Sequence, residues 1–267
     1  MKIKSIVLFF LLASNSCIGF SQSNTQLILS PSLVHFDYTE FNTFNEVLDQ
    51  ELGWLSGIEV GLNHAITASW SININSSYHQ GTVDYDGKTQ QGEPHTTDTK
   101  TKLFRYSARI EKSIYQKMFL FASVQSHNWK RNIQDNNNIS GLSENYKWIE
   151  YAIGANADIF TLPKDIFNVE VAYLITRNGT INVDLSRVNL GSTTLDLGDG
   201  TGGRLIFNWK RRSENNTRYG MSLFFEAWDF GRSNTKQTQG SPSIVFVTEP
   251  RSETQNIGLK VNIEYSF

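Results

Sequence analysis

The 267-residue chain is 39% apolar and 12% aromatic, with a formal net charge of -2. That balance excludes the basic excess that nucleic-acid binding needs, and a mean hydropathy of -0.35 excludes a bundle of membrane helices. The one cysteine, Cys17, sits near the N-terminus, so the rest of the chain offers no disulfide, thiolate metal site or thiol nucleophile.

Residues 1–21 have the composition of a secretory signal peptide. Lys2 and Lys4 precede an apolar core over Ile6–Ala13, and Gly19 and Ser21 supply small residues before a cut at Gln22. The core is far shorter than the roughly 20 residues a spanning helix needs. Ser14-Asn15-Ser16, ahead of Cys17, lacks the aliphatic residue of a lipid-attachment site. The expected mature domain is residues 22–267.

From there the dominant signal is period two, the alternation of a strand with two unlike faces. A first strand is expected near Leu27–Tyr38, weakened by Pro31. Alternating apolar sets follow: Ile58, Val60 and Leu62; Trp70, Ile72, Ile74 and Tyr78; Phe104, Tyr106, Ala108 and Ile110; Leu120, Ala122 and Val124. Then come Ile149 to Ile159, Phe167 to Ile175, Leu205 to Trp209, and Tyr219 to Phe225. The chain ends on Leu259, Val261, Ile263, Tyr265 and Phe267, alternating with Lys260, Asn262, Glu264 and Ser266.

This pattern predicts about ten strands of roughly nine to fourteen residues, the length of tilted bilayer spans. Short connectors near Asn63–Thr67, Ser113–Lys117, Thr161–Asp165 and Arg211–Arg218 alternate with long ones. The long ones fall near Thr39–Gly53, Gln80–Lys100, Lys130–Asn145, Arg177–Gly202 and Phe230–Thr254. The expected fold is an all-β, closed antiparallel transmembrane β-barrel of about ten strands, with 8 or 12 as alternatives. Short turns would face the periplasm and long loops the exterior.

A soluble β-sandwich or small barrel also alternates, so the choice rests on charge and aromatics. One face of nearly every strand carries ionisable groups: Glu59, Arg105, Arg109, Glu111, Glu150, Glu170, Arg204, Glu226, Lys260 and Glu264. In a membrane barrel these must form a lumen charge network, since a cation at the lipid midplane costs about 2–4 kcal/mol. Trp70, Tyr78, Tyr173, Trp209, Tyr219 and Tyr265 sit where interfacial girdles belong. The terminal strand is expected to close the barrel on the first, with Leu259, Val261, Ile263, Tyr265 and Phe267 facing lipid and Phe267 serving as an assembly signal. Ten strands enclose a narrow space. Trp148, Trp228, Phe121 and Phe224 on the inward face suggest a plug.

The candidate chemistry is sparse. Asp84 and Asp86, spaced i, i+2, share one side of an extended strand, and paired carboxylates can raise one pKa and hold a water for general-base work. His79 and His95 lie nearby in sequence. Asp86-Gly87 is equally a turn dipeptide. No phosphate loop or zinc spacing is present, and no cofactor or metal set is expected.

Leader, strand count, five long connectors and terminal aromatic together resemble the omptin-type outer-membrane barrel. Val83-Asp84-Tyr85-Asp86 is similar to the omptin segment bearing the first acidic pair, and the resemblance implies an aspartate pair at Asp84 and Asp86. The second omptin element, Asp-x-His in the fourth loop, is missing, because no histidine follows Tyr146. Phe36–Phe41, Trp129–Ile133 and Ser140–Trp148 also resemble a group of bacterial outer-membrane barrel proteins. They suggest a rim cluster of Arg131, Glu144 and Trp148.

The functional expectation is an integral outer-membrane barrel with a plugged or narrow lumen and polar surface loops, in a structural, adhesive or small-solute role. The alternative is a rim hydrolase, an omptin-like peptidase or a lipid-modifying enzyme, using Asp84 and Asp86. Expected partners are outer-membrane lipids, lipopolysaccharide and the barrel assembly machinery.

Overall fold

A computed structural model describes residues 25–88, 92–115, 117–136, 139–213, 216–238 and 245–267. The expected leader, residues 1–21 with Cys17, lies outside the described residues.

Ten long strands form one ring: β1 (Thr25–Phe41), β2 (Val47–Ala65), β3 (Trp70–Lys88), β4 (Pro94–Tyr115), β5 (Met118–Ile133), β6 (Ser143–Thr161), β7 (Asp165–Asp184), β9 (Gly200–Arg212), β10 (Thr217–Phe230) and β13 (Arg251–Ser266). Each pairs antiparallel with its neighbours, and β1 meets β13 from Gln26↔Ser266 to Phe41↔Arg251. The terminal strand therefore closes the barrel, which leaves no open edge for another chain to pair with. Pro31 does not break β1. The β1–β13 pairing skips only Ser30 and Pro31 and resumes in the same register, as expected where one N–H is missing.

Three short strands, β8 (Ser192–Asp196), β11 (Thr235–Gln237) and β12 (Phe246–Thr248), lie at the long-connector end. β8 pairs with β7, and β11 pairs with β12 as a hairpin. We call this end the mouth and the opposite end the turn end.

The expected long connectors are mostly not loops. β1 and β2 are joined by residues 42–46 alone, and β3 runs on to Lys88 before β4 starts at Pro94. The barrel strands reach 22 residues in β4, against the nine to fourteen expected. At about 3.4 Å per residue such strands exceed the roughly 25 Å apolar band of a membrane barrel, so their upper parts rise beyond it as ladder. In those parts the alternation inverts: polar residues face outward, and Phe36, Leu55, Val83 and Leu103 face in.

The outward face shows where the band lies. Leu27, Leu29 and Leu33 on β1, Ile58, Val60 and Leu62 on β2, Tyr106 and Ile110 on β4, and Ile153 and Ile159 on β6 are all exposed. The same holds for Val171, Phe207, Leu223, Leu259, Val261, Ile263, Tyr265 and Phe267. Above it the outward positions become Asp37, Thr39, Gln50, Thr82, Lys100, Lys102, Lys130 and Lys147. This apolar belt with polar ends is the surface a bilayer demands. Among the described residues no helix is long and apolar enough to cross a membrane.

Candidate functional site

Inside the belt the lumen holds paired charges. Lys260 Nζ meets Glu59 Oε2 at 2.6 Å, and Lys210 Nζ meets Glu264 Oε1 at 2.9 Å. Glu226 bridges Arg105 at 2.8 Å and Arg204 at 2.5 Å, and Arg204 continues to Glu150 at 2.8 Å. Arg109 holds Glu170 at 2.6 Å and Glu111 at 2.5 Å. All ten charged residues of the expected network thus face inward, each within an ion pair. All of them except Glu150 line a cavity of about 470 Å³ that extends to Gln26 and Arg218 at the turn end.

The cavity stops below a layer of rings. Trp148 stacks on His127 at 4.2 Å and meets Phe230 edge-on at 5.2 Å. Trp129 stacks on Tyr146 at 4.6 Å and meets Tyr38 at 4.9 Å. These rings form one buried cluster with Phe36, Leu55, Leu103, Trp228 and Val247, the last from the β11–β12 hairpin. Phe121 and Phe224 are also buried, with Arg109 lying 3.6 Å over the Phe121 ring.

Above the rings, beyond the apolar belt, lies the most concentrated polar cluster. Period two on four strands sends Tyr38 and Glu40, Asp49 and Glu51, Arg131, and Glu144 and Tyr146 to the interior at one level. The registers Glu40↔Asp49, Tyr38↔Glu51 and Arg131↔Glu144 bring them together. Arg131, 1% exposed, donates to Glu51 Oε1 at 3.1 Å, Glu40 Oε1 at 3.0 Å, Glu144 Oε2 at 2.7 Å and the Tyr146 hydroxyl at 2.9 Å. Asp49 Oδ2 is 3.7 Å away, and the guanidinium lies 4.6 Å over the Tyr38 ring. Glu249, from the segment after β12, accepts from Tyr146 at 2.5 Å and from Tyr38 at 3.4 Å.

Five carboxylates therefore surround one guanidinium, and they cannot all ionise out of water. Burial pushes the Glu144 carboxyl up to about 7, with Arg131 opposing and Glu40 and Glu51 adding. Burial, then Glu40, raises Asp49 well above the usual carboxylate range, and burial with Glu40 and Glu144 does the same to Glu249. At neutral pH the cluster retains protons. It also fastens the β12–β13 connection to β1 and β6.

The expected catalytic candidates are not brought together. Asp84 and Asp86 share a side, but it is the outer wall: both are exposed while Val83 and Tyr85, which alternate with them, are buried. Asp84 lies across from Asp98 and Asp86 across from Thr96, whose hydroxyl is 3.5 Å from Asp86 Oδ1. His79 faces the lumen, 2.9 Å from the Ser32 hydroxyl, and His95 faces inward, edge-on to Tyr85 at 5.6 Å. Strand parity puts these carboxylates and imidazoles on opposite faces. Among the described residues no group of three or more His, Cys, Asp or Glu has the geometry of a metal site.

Of the expected rim cluster, Arg131 and Glu144 lie together in the mouth, whereas Trp148 lies in the ring layer below, stacked on His127. Tyr38, Glu40, Asp49, Glu51, Tyr146 and Glu249 join them without having been expected there. The alternation of Tyr38 with Glu40 and of Asp49 with Glu51 is present in the sequence. It lies in stretches read partly as loop, so it received no face.

No family model matches the chain, and no curated protein does. Among solved structures, the outer-membrane protease OmpT from Escherichia coli aligns over 94% of this chain and 99% of its own, at 11% identity and a TM-score of 0.61. The β domain of the Bordetella autotransporter BrkA aligns over 91% of this chain and 100% of its own, at 13% identity and a TM-score of 0.48. The first likeness establishes the fold: this chain is a ten-stranded antiparallel barrel of the outer-membrane type.

Proposed function

We propose that this chain is a closed outer-membrane barrel, exported through a leader removed before Gln22, that serves as a non-enzymatic envelope component. In that setting the turn end faces the periplasm and the mouth faces outward. The ring layer across the lumen, capped by the Arg131 cluster and Val247, carries this reading: a solute entering the cavity from the periplasm meets a buried, close-packed wall. The mouth and upper ladder then act as a presented surface, held rigid for adhesion or envelope organisation. Insertion would rely on the barrel assembly machinery, which Phe267 addresses.

The alternative, a rim hydrolase, has the OmpT likeness in its favour, but that likeness extends to fold alone. Asp84 and Asp86 on the outer wall lack an imidazole beside them, so water activation there would need a group from elsewhere. Purified, refolded protein assayed against quenched peptides and phospholipid and lipopolysaccharide panels tests both readings. No turnover is expected. Turnover abolished by Asp84→Asn or Asp86→Asn would overturn the proposal.

A further inference from the structure

One carboxyl of the mouth cluster differs from the rest in what carries it. Glu40 faces Asp49 and Tyr38 faces Glu51 across β1–β2, and Arg131 faces Glu144 across β5–β6. None of these can leave without breaking a barrel ladder. Glu249 stands instead on the two-residue link between β12 and β13, beside Pro250, which has no N–H to pair. It is buried all the same, and its carboxylate accepts from the Tyr146 and Tyr38 hydroxyls. Its main chain joins Ser233 at the base of the β11–β12 hairpin: Glu249 N–H donates to Ser233 Oγ at 2.8 Å, and Ser233 N–H donates to Glu249 O at 3.0 Å.

The hairpin is weakly held elsewhere. It consists of the pairs Thr235↔Thr248, Lys236↔Val247 and Gln237↔Phe246, and a two-stranded hairpin is marginal by itself. Its side-chain ties to β8 run from Asn234 and Lys236 to Asp196, in the open, where water and salt screen them. Val247, two residues before Glu249, packs into the buried ring cluster with Trp129, Trp148 and Phe230. Glu249 and Val247 are thus the points at which the hairpin is pinned across the mouth.

We propose that Glu249 is a proton-dependent latch: while the cluster keeps its protons the hairpin stays seated over the ring layer, and their loss releases it towards the exterior. The titratable and charged groups around Glu249 are Tyr38 and Glu40 on β1, Asp49 and Glu51 on β2, Arg131 on β5, and Glu144 and Tyr146 on β6. Tyr85 on β3 lies beside Asp49, with His95 on β4 edge-on to it. At this end β7, β8, β10 and β13 contribute the buried, uncharged Ile181, Leu195, Phe230 and Ser252. Five carboxyls therefore share one guanidinium, and full ionisation leaves a net negative charge in a nearly dry site. Burial, with Glu40 and Glu144 adding, raises the Glu249 carboxyl well above its ordinary range, and burial raises Glu144 to about 7. Raised carboxyl values favour the seated state in acid, and that advantage is lost as pH rises through about 7 and beyond. The strand-borne carboxyls stay where their ladders fix them. Glu249 is the member that can reach water, and Val247 leaves with it. The rings of Trp129, Trp148 and Trp228 remain on their strands, so release uncovers the ring layer without opening the lumen. The mouth thus presents one surface in acidic surroundings and another in alkaline ones, which goes beyond a fixed envelope component.

The test places spin labels at Gln50→Cys on the β2 ladder and Phe246→Cys on β12, both exposed. The labels go into the full-length chain carrying Cys17→Ser, folded in detergent, and their separation is measured from pH 5 to pH 9. The otherwise wild-type chain should give one narrow distance at pH 5 and a longer, broader distribution at pH 9, reversing on return to pH 5. Acrylamide quenching of tryptophan fluorescence in the unlabelled chain should at least double over the same range. Glu249→Gln, which removes the charge and keeps an acceptor for both hydroxyls, should hold the narrow distance at pH 9. Glu144→Gln, which removes one competing charge, should move the midpoint to higher pH. Heat-modifiable migration should persist throughout. A distance unchanged between pH 5 and 9, or a change of equal size in Glu249→Gln, would overturn the proposal. So would a change accompanied by loss of heat-modifiable migration, because the barrel ladder would then be what opens. The distance is read independently of any conductance or hydrolysis, so its outcome is separate from that of the sealed-barrel reading.

Discussion

Replacing Arg131 with methionine tests the mouth most sharply. The guanidinium is the shared partner of Glu40, Glu51 and Glu144 and lies 3.7 Å from Asp49, in a site almost without water. Removing one partner of a buried ion pair costs about 3–5 kcal/mol, because the remaining charge is left uncompensated. The carboxyls can escape part of that cost by taking up protons, so the loss must depend on pH. The wild type already shows the direction. The Glu144 pKa is raised to about 7, so its contribution is fully present below the ordinary carboxyl pKa, near 4.3. It is lost as pH rises through about 7, amounting to about 3 kcal/mol across that window. Denaturant unfolding in detergent, followed by tryptophan fluorescence at pH 5, 7 and 9, should therefore show wild-type stability falling from pH 5 to 9. The Arg131→Met deficit should be largest at pH 9 and smallest at pH 5. A variant as stable as wild type at pH 9, or a wild type that gains stability between pH 5 and 7, would refute the reasoning.

Further outcomes follow from the same geometry. Glu226→Gln leaves Arg105 and Arg204 with a neutral partner inside the lumen, and should cost about 3 kcal/mol in unfolding measurements on vesicle-inserted protein; a loss below about 1 kcal/mol would contradict the pairing. Asp84→Asn and Asp86→Asn, both on the exposed outer wall, should change stability by less than about 0.5 kcal/mol; a larger loss in the same assay would place them in an unseen network. Deleting Phe267, whose N–H donates to Thr25 O at 3.2 Å, should lower the folded fraction on heat-modifiable gels during assembly. It should leave the denaturation midpoint of molecules already folded within a few degrees; normal assembly would count against the terminal signal. Gly258→Val should impair folding, since even a Cβ there would meet the Phe224 ring at 2.3 Å; a normally folding variant would show that this contact yields.

The barrel itself was legible because lipid imposes a strict rule. Wherever one face met the apolar belt, as from Ile149 to Ile159 or in the last ten residues, period two survived and assigned each side chain its side. Strand count, closure and the inward charges followed from that alone. The rule lapses above the belt, where the outward positions turn polar and the apolar residues turn inward; there β1 and β3 run past their expected ends, and β2 and β4 begin before their expected starts. The aspartate pair shows the consequence. Trp70 to Tyr78 put even-numbered positions of β3 outward, and the strand continues unbroken to Lys88, so parity alone sends Asp84 and Asp86 outward and His79 inward. Taking residues 80–100 as a loop discarded that parity. The Arg131 cluster was only half visible for another reason. Its members come from β1, β2, β5, β6 and the β12–β13 connection, and the long-range registers that join them leave no local spacing to read.

The sealed lumen is the claim on which the functional reading rests, and single-channel recording in planar bilayers tests it most directly. With insertion verified by heat-modifiable migration of protein recovered from the same preparation, neutral-pH recordings should show no steady open-state conductance. A stable, ohmic open level in the wild-type protein would contradict the account.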